Sequence, residues 1–181
     1  MTEYQSSAKS LELLTFTTSA ISNGNGYAGG ALFQDVANGN TKQLYVDNRG
    51  NDSDVVVLTP NVASSGQVYS GAVANPTEDA EGEAATIQTV SRAGNGFAAS
   101  LKTAGDNETG VLTGGEAYPR QTIGGGSAAR GSAVGVGTNA AQIAAIVGPD
   151  DLWSVEAQNV SGQTQDISLN LTIAEVDGDI L

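Results

Sequence analysis

Over much of the chain large apolar residues alternate with polar ones in short runs, and the runs end in Gly, Asn, Asp or Pro. A two-residue period marks strands with one buried face, and the interruptions mark turns. Residues 11–19 (Leu-Glu-Leu-Leu-Thr-Phe-Thr-Thr-Ser) read as a first strand, stopped by the turn cluster Ser22-Asn23-Gly24-Asn25-Gly26. Further strands are predicted over residues 42–47, 54–59, 66–73, 84–90, 96–103, 153–158 and 166–176. About eight strands at this spacing predict an all-β chain, an antiparallel β-sandwich of jelly-roll-like form, folded as a single domain across residues 1–181.

Two stretches resemble each other. Leu44-Tyr45-Val46-Asp47-Asn48 passes through a Gly-containing turn into Asp54-Val55-Val56-Val57-Leu58, and Trp153-Ser154-Val155-Glu156-Ala157-Gln158-Asn159 passes into Asp166-Ile167-Ser168-Leu169. Asn and Asp side chains can satisfy turn amides, and Gly accepts positive φ, so the shared residues have a local mechanical reason. They are either two independent hairpins with the same turn chemistry or pseudo-equivalent hairpins of a two-sheet sandwich.

Two segments lack this pattern. Residues 1–10 form an N-terminal arm. Residues 105–148 hold the run Gly124-Gly125-Gly126 and many alanines (Ala128, Ala129, Ala140, Ala141, Ala144, Ala145) with few large side chains. This Gly/Ala-rich excursion is either a flexible loop or one that lies against neighbouring subunits, where small residues permit close backbone approach. Within it, residues 139–147 suit a short helix capped by Asn139 and stopped by Gly148-Pro149, or a strand with Ile143 and Val147 on one face, the reading we favour.

Composition narrows the chemistry. The 181 residues carry 20 acidic and 7 basic side chains, a formal charge of −13, and neither His nor Cys. This excludes a His-based triad, a Cys nucleophile, a structural zinc site and a disulfide. So few bases oppose direct nucleic-acid binding, because a phosphate backbone is gripped by Lys and Arg. Acid dispersed along the chain with little Lys is the balance that high salt favours, since salt screens the repulsion between carboxylates. No apolar run approaches a membrane span, and Met1-Thr2-Glu3-Tyr4 does not open a signal peptide. The expectation is a structural or binding protein and not an enzyme.

The remaining motifs are weak in context. Ser6-Ser7-Ala8-Lys9 matches S-x-x-K without the accompanying S-D-N or K-T-G signatures, and the G-x-G-x-x-A pattern from Gly135 to Ala140 has no βαβ surroundings. Paired carboxylates can cleave glycosides, but such sites carry aromatic platforms, and the aromatic residues here are not grouped in sequence. The better candidate is a hard cation such as Ca²⁺, because Asp47, Asn51, Asp52 and Asp54 concentrate oxygen ligands in one turn, although Arg49 intrudes. Asp150-Asp151 and Asp177 with Asp179 are lesser versions. No other cofactor is expected. Asn51, Asn107, Asn159 and Asn170 begin Asn-x-Ser/Thr sequons, whose use is doubtful without a secretion signal.

The rhythm of residues 44–60 with the Ser64-Ser65-Gly66 turn, and of Gly148-Pro149-Asp150-Asp151-Leu152-Trp153 onward to Glu175, resembles β-sandwich structural proteins of viruses that infect halophilic archaea. These are capsid decoration, turret and jelly-roll coat proteins. The resemblance implies a virion protein, made in the host cytoplasm, that forms or decorates the capsid by symmetric packing. Its partners would be other copies of itself, with a trimer favoured, and neighbouring capsid proteins. Two alternatives stay open: a receptor- or glycan-binding module of a virion fibre or tail, for which Tyr27, Tyr69 and Tyr118 are the aromatic candidates, and a cell-surface matrix domain of a halophile.

Overall fold

A computed structural model describes residue 21, residues 23–90, 96–124 and 145–176, and the backbone of residues 134–135. Its strands are β1 (Gly26–Val36), β2 (Thr41–Asp47), β3 (Asp54–Ser64), β4 (Val68–Ala74), β5 (Thr77–Ala80), β6 (Glu83–Ala84), β7 (Thr86–Thr89), β8 (Ser100–Gly105), β9 (Val111–Thr113), β10 (Glu116–Ala117), β11 (Gln121–Ile123), β12 (Val134–Gly135), β13 (Ala145–Val147), β14 (Leu152–Asn159) and β15 (Gln165–Val176). The expected strand at 11–19, the arm at 1–10, the Ser6–Lys9 motif, Ile143 and nearly all of the Gly135–Ala140 motif lie outside the described residues.

The strands form two packed antiparallel sheets. One runs β12-β3-β15-β1-β7, with β13 also on β3, and the other runs β10-β4-β14-β2-β8-β6, with β11 also on β4. The connections β1 to β2, β2 to β3, β3 to β4 and β14 to β15 each pass from one sheet to the other. Setting β5–β9 aside, β1-β15-β3-(β12, β13) faces β2-β14-β4-(β10, β11), which is the strand order of a jelly roll. The two similar stretches are therefore corners that turn the chain between sheets, not hairpins within one.

Alternation builds the core. Along β15, Ile167, Leu169, Leu171 and Ile173 point inward and are buried, while Asp166 and Asn170 are exposed. They meet Leu44 and Val46 of β2 and Trp153, Val155 and Ala157 of β14, with Val55, Val57, Val62, Tyr27 and Phe33 completing the layer. Each such large side chain contributes roughly 1.5–3 kcal/mol on burial.

Three features were hidden from the pattern. Strand β1, central in its sheet, contains Gly29 and Gly30, where a Cβ would lie 2.5 Å from the Leu101 Cδ2 and 2.3 Å from the Asn170 Oδ1. Glycine is needed there for close approach, and it erases the alternation that announces a strand. Strand β3 runs through Pro60, because β13 pairs at residues 55–57 and β12 at 61–62, so proline's missing donor falls between the two partners. Residues 84–90, expected as one strand, cross between sheets at Ala85, whose N–H donates to Leu101 O at 2.8 Å. Part of the Gly/Ala-rich excursion is built into the sandwich, since β9 to β13 fall within residues 105–148. The described end of residues 139–147 is strand β13.

The segment spanning β5 to β9 is an insertion between β4 and β10 that closes one side of the sandwich. Strand β7 extends one sheet beyond β1, and β8 with β6 extends the other beyond β2. The β5–β9 ribbon covers the outer face of the second sheet, where Tyr45, Ala104 and Leu152 pack with Leu112.

Candidate functional site

The expected cation turn has another use. Asp47, at the end of β2, takes a two-pronged bond from Arg49 (Nε to Oδ1 2.8 Å, Nη2 to Oδ2 2.8 Å) and a third from Lys102 Nζ at 2.9 Å. Arg49 also bonds Glu78 of β5, and Lys102 reaches Glu81 at 3.0 Å. Tyr45 donates to Glu78 and accepts from the Gly82 N–H at 3.0 Å. The cluster fastens the insertion to the sheet beneath it. Hydrogen bonds from Arg49, aided by Lys102 against the opposing effect of burial, hold the Asp47 carboxyl well below the usual carboxylate range. Burial pushes Glu78 upward, but the Tyr45 and Arg49 hydrogen bonds and the Lys102 charge outweigh it, leaving Glu78 below its ordinary value. Burial and the bond to Glu78 raise the Tyr45 hydroxyl.

The other three candidate ligands are dispersed. Asn51 donates to Asn48 Oδ1 at 3.0 Å, Asp52 is exposed, and Asp54 is buried at the start of β3. Among the described residues no group of three or more carboxylates is placed to hold a metal ion. The Asp150-Asp151 turn does approach the first corner: the Gly50 N–H lies 3.4 Å from Asp150 Oδ1, and the Asn48 N–H donates to Asp151 O at 3.1 Å.

The corner asparagines are the residues whose importance the sequence signalled most directly. Asn48, fully buried, donates from Nδ2 to the carbonyls of Ser53 (2.9 Å), Val147 (3.0 Å) and Gly148 (3.0 Å). Asn159 does the same at the opposite end of the sandwich, donating to Val36 O and Gln163 O, both at 2.7 Å. Its Oδ1 accepts from the Ser161 N–H, the Ser161 hydroxyl and Gln165 Nε2. Because β2 and β14 are antiparallel neighbours, the corners are related by a pseudo-two-fold rotation. The Asn159 sequon is thus buried in the fold, whereas Asn107 and Asn170 are exposed.

Every described Lys and Arg is held in an ion pair. Lys42 pairs with Glu108, and Arg120 lies across Gly71 to reach Glu156 at 2.7 Å, in addition to the pairs of Arg49 and Lys102. Charge on the exposed surface of the described residues is consequently dominated by carboxylates. The outer face of the first sheet is an exception. Ala28, Gly30 and Leu32 of β1, Thr86 and Gln88 of β7, and Ser168, Asn170 and Thr172 of β15 line a shallow groove of about 430 Å³ that carries no charge. Asp35 and Asp166 stand at one end, joined by the Asp35 N–H at 3.0 Å.

The aromatic candidates separate. Tyr27 is buried against Phe97, ring centroids 4.9 Å apart, and its hydroxyl donates to buried Glu175. Burial and the Glu175 charge push that hydroxyl up to about 12. Tyr69 and Tyr118 are exposed, Tyr69 in register with Gln158, and the Tyr118 N–H donating to Ala72 O at 2.9 Å.

Comparison with protein-family models, with curated proteins and with solved structures finds no match.

Proposed function

We propose that the chain is a virion structural protein that forms or decorates a capsid by symmetric packing of identical copies. The observation that carries this reading is where the ionisable groups go. Among the described residues the bases and their carboxylate partners fasten strands and insertion together, and the buried amides lock the corners between sheets. The result is a braced block whose function is its shape, and the jelly roll is an architecture that viral shells employ. Fold alone does not decide function, so the reading rests on this braced interior.

The acidic exterior fits surroundings of high salt, in which screening lets like-charged copies approach. Light scattering coupled to gel filtration tests the reading. A trimer or larger ring in molar NaCl is expected, and a monomer at all protein concentrations would overturn it. Half-exposed Tyr69 and Tyr118, near the Arg120–Glu156 pair, favour a second reading as a glycan-binding module. Sugar rings stack on exposed aromatic faces, and a glycan array with wild type and Tyr118→Ala tests it. Binding that the substitution abolishes would support the second reading.

A further inference from the structure

The edge of β1 is open over part of its length. Strand β7 pairs only with Tyr27 to Gly30, because the chain leaves the first sheet at Thr86 and crosses at Ala85. Hydrogen-bond parity tells which groups this uncovers. The Val90 N–H donates to Gly26 O, and the Glu175 N–H to Asn25 O, both at 2.9 Å. Even-numbered residues of β1 therefore turn their N–H and C=O toward β7, and odd-numbered ones toward β15. The alternation runs on to Asp35, whose N–H donates to Asp166 of β15 at 3.0 Å. Among the described residues, Leu32 and Gln34 thus present main-chain groups to no neighbouring strand.

Beside them a recess of about 320 Å³ opens between the two sheets. Phe33 of β1 forms one wall, and Thr103, Glu83 and Glu108 line the wall that faces it. The charge there is unbalanced. Glu108 is paired with Lys42, whose Nζ also stands 5.4 Å from the centre of the Phe33 ring. Glu83 is exposed, and each described base is paired with some other carboxylate. We infer that an extended basic segment of a partner protein adds to β1 at this edge, pairing its main chain with Leu32 and Gln34 and sending a Lys or Arg between the sheets toward Glu83 and Glu108.

Three arguments select this occupant. An unpaired strand edge takes an extended peptide, with main-chain bonds supplying affinity and alternate side chains supplying specificity. Phe33 points into the core, so the partner residue opposite it points inward too, while those opposite Leu32 and Gln34 face solvent. One inward side chain consequently meets the two glutamates. The third argument is charge. A copy of this chain carries a formal −13, and its four described bases are already bound in ion pairs, whereas a basic partner is attracted. The recess is at the small end of the range of about 300–1,000 Å³ for ligand sites, so the contact is short and weak by itself. It does not depend on the assembly proposed above.

Titration of the isotope-labelled full chain with the capped peptide Val-Thr-Arg-Thr-Val, followed by amide NMR signals, tests the inference. The Leu32 and Gln34 signals should shift and gain protection from exchange. Replacing the peptide's Arg by Gln, or Glu83→Gln in the protein, should weaken binding about three- to five-fold. Leu32→Pro should abolish it and leave β1 paired with β15, because the N–H it removes faces the open edge. An Arg peptide N-methylated at both Thr makes the same test should the proline variant unfold. No shift of these signals at millimolar Arg peptide, or equal binding of the Arg peptide and either control peptide, would overturn the inference. Shifts of the same signals with rising protein concentration alone would put a second copy at this edge and overturn the choice of partner.

Discussion

Asn159→Ala is the sharpest probe of the corner geometry. The substitution removes five hydrogen bonds, to Val36 O, Gln163 O, the Ser161 N–H and hydroxyl, and Gln165 Nε2. The Ser161 and Gln163 groups lie nearer the surface and recover water, but the bonds to Val36 O and Gln165 Nε2 are buried. Gln165 Nε2 keeps its bond to Gln67 O at 3.1 Å, and taking the amide partner from the buried Val36 carbonyl costs about 1–3 kcal/mol, so the expected loss is about 2 kcal/mol. With a urea slope of about 2 kcal/mol per molar, the unfolding midpoint should fall by about 1 M. Trp153, the single tryptophan and itself buried, reports the transition by fluorescence. Asn159→Asp should be more damaging, because it buries a charge and turns an acceptor toward the Val36 and Gln163 carbonyls. A midpoint shift below about 0.5 M for Asn159→Ala would refute the reasoning.

Other outcomes follow from the same contacts. Asp47 and Glu78 are held below their unfolded values, so between the folded and unfolded pKa the folded chain binds fewer protons than the unfolded one. Their stabilisation is present above about pH 4 and is lost as pH falls through the depressed folded values. Asp47→Asn should therefore flatten the acid side of a urea-midpoint profile, and an unchanged slope would contradict it. Gly29→Val places atoms against Leu101 and the Thr86 carbonyl and should lower stability by about 1–3 kcal/mol in the same assay, with no loss counting against the close approach of β1. Because the described bases are bound in internal pairs, the melting temperature should rise with NaCl, and indifference to salt would remove the argument from surface acidity.

What the sequence reveals depends on whether a residue's reason is local. Alternation in β15 and β14 is visible because each strand has one face in the core, and the shared Asn-turn-Asp grammar of the two corners is visible because the turns need it. Their role as sheet crossings is not, since a turn within a sheet and a corner between sheets use the same residues. Strand β1 was hidden because Gly29 and Gly30 answer to Leu101 and Asn170, far away in the chain. The acidic turn suggested a cation site from its oxygens alone, whereas Lys102 and Glu78, which meet Asp47 and Arg49 there, come from an insertion that no local pattern ties to residue 47. The uncharged face likewise emerges only when β1, β7 and β15 lie side by side.

Electron microscopy of the purified full chain in molar NaCl tests the assembly most directly. The account predicts closed, rotationally symmetric particles of repeated subunits. Fields containing single copies alone, at every protein concentration tried, would contradict it.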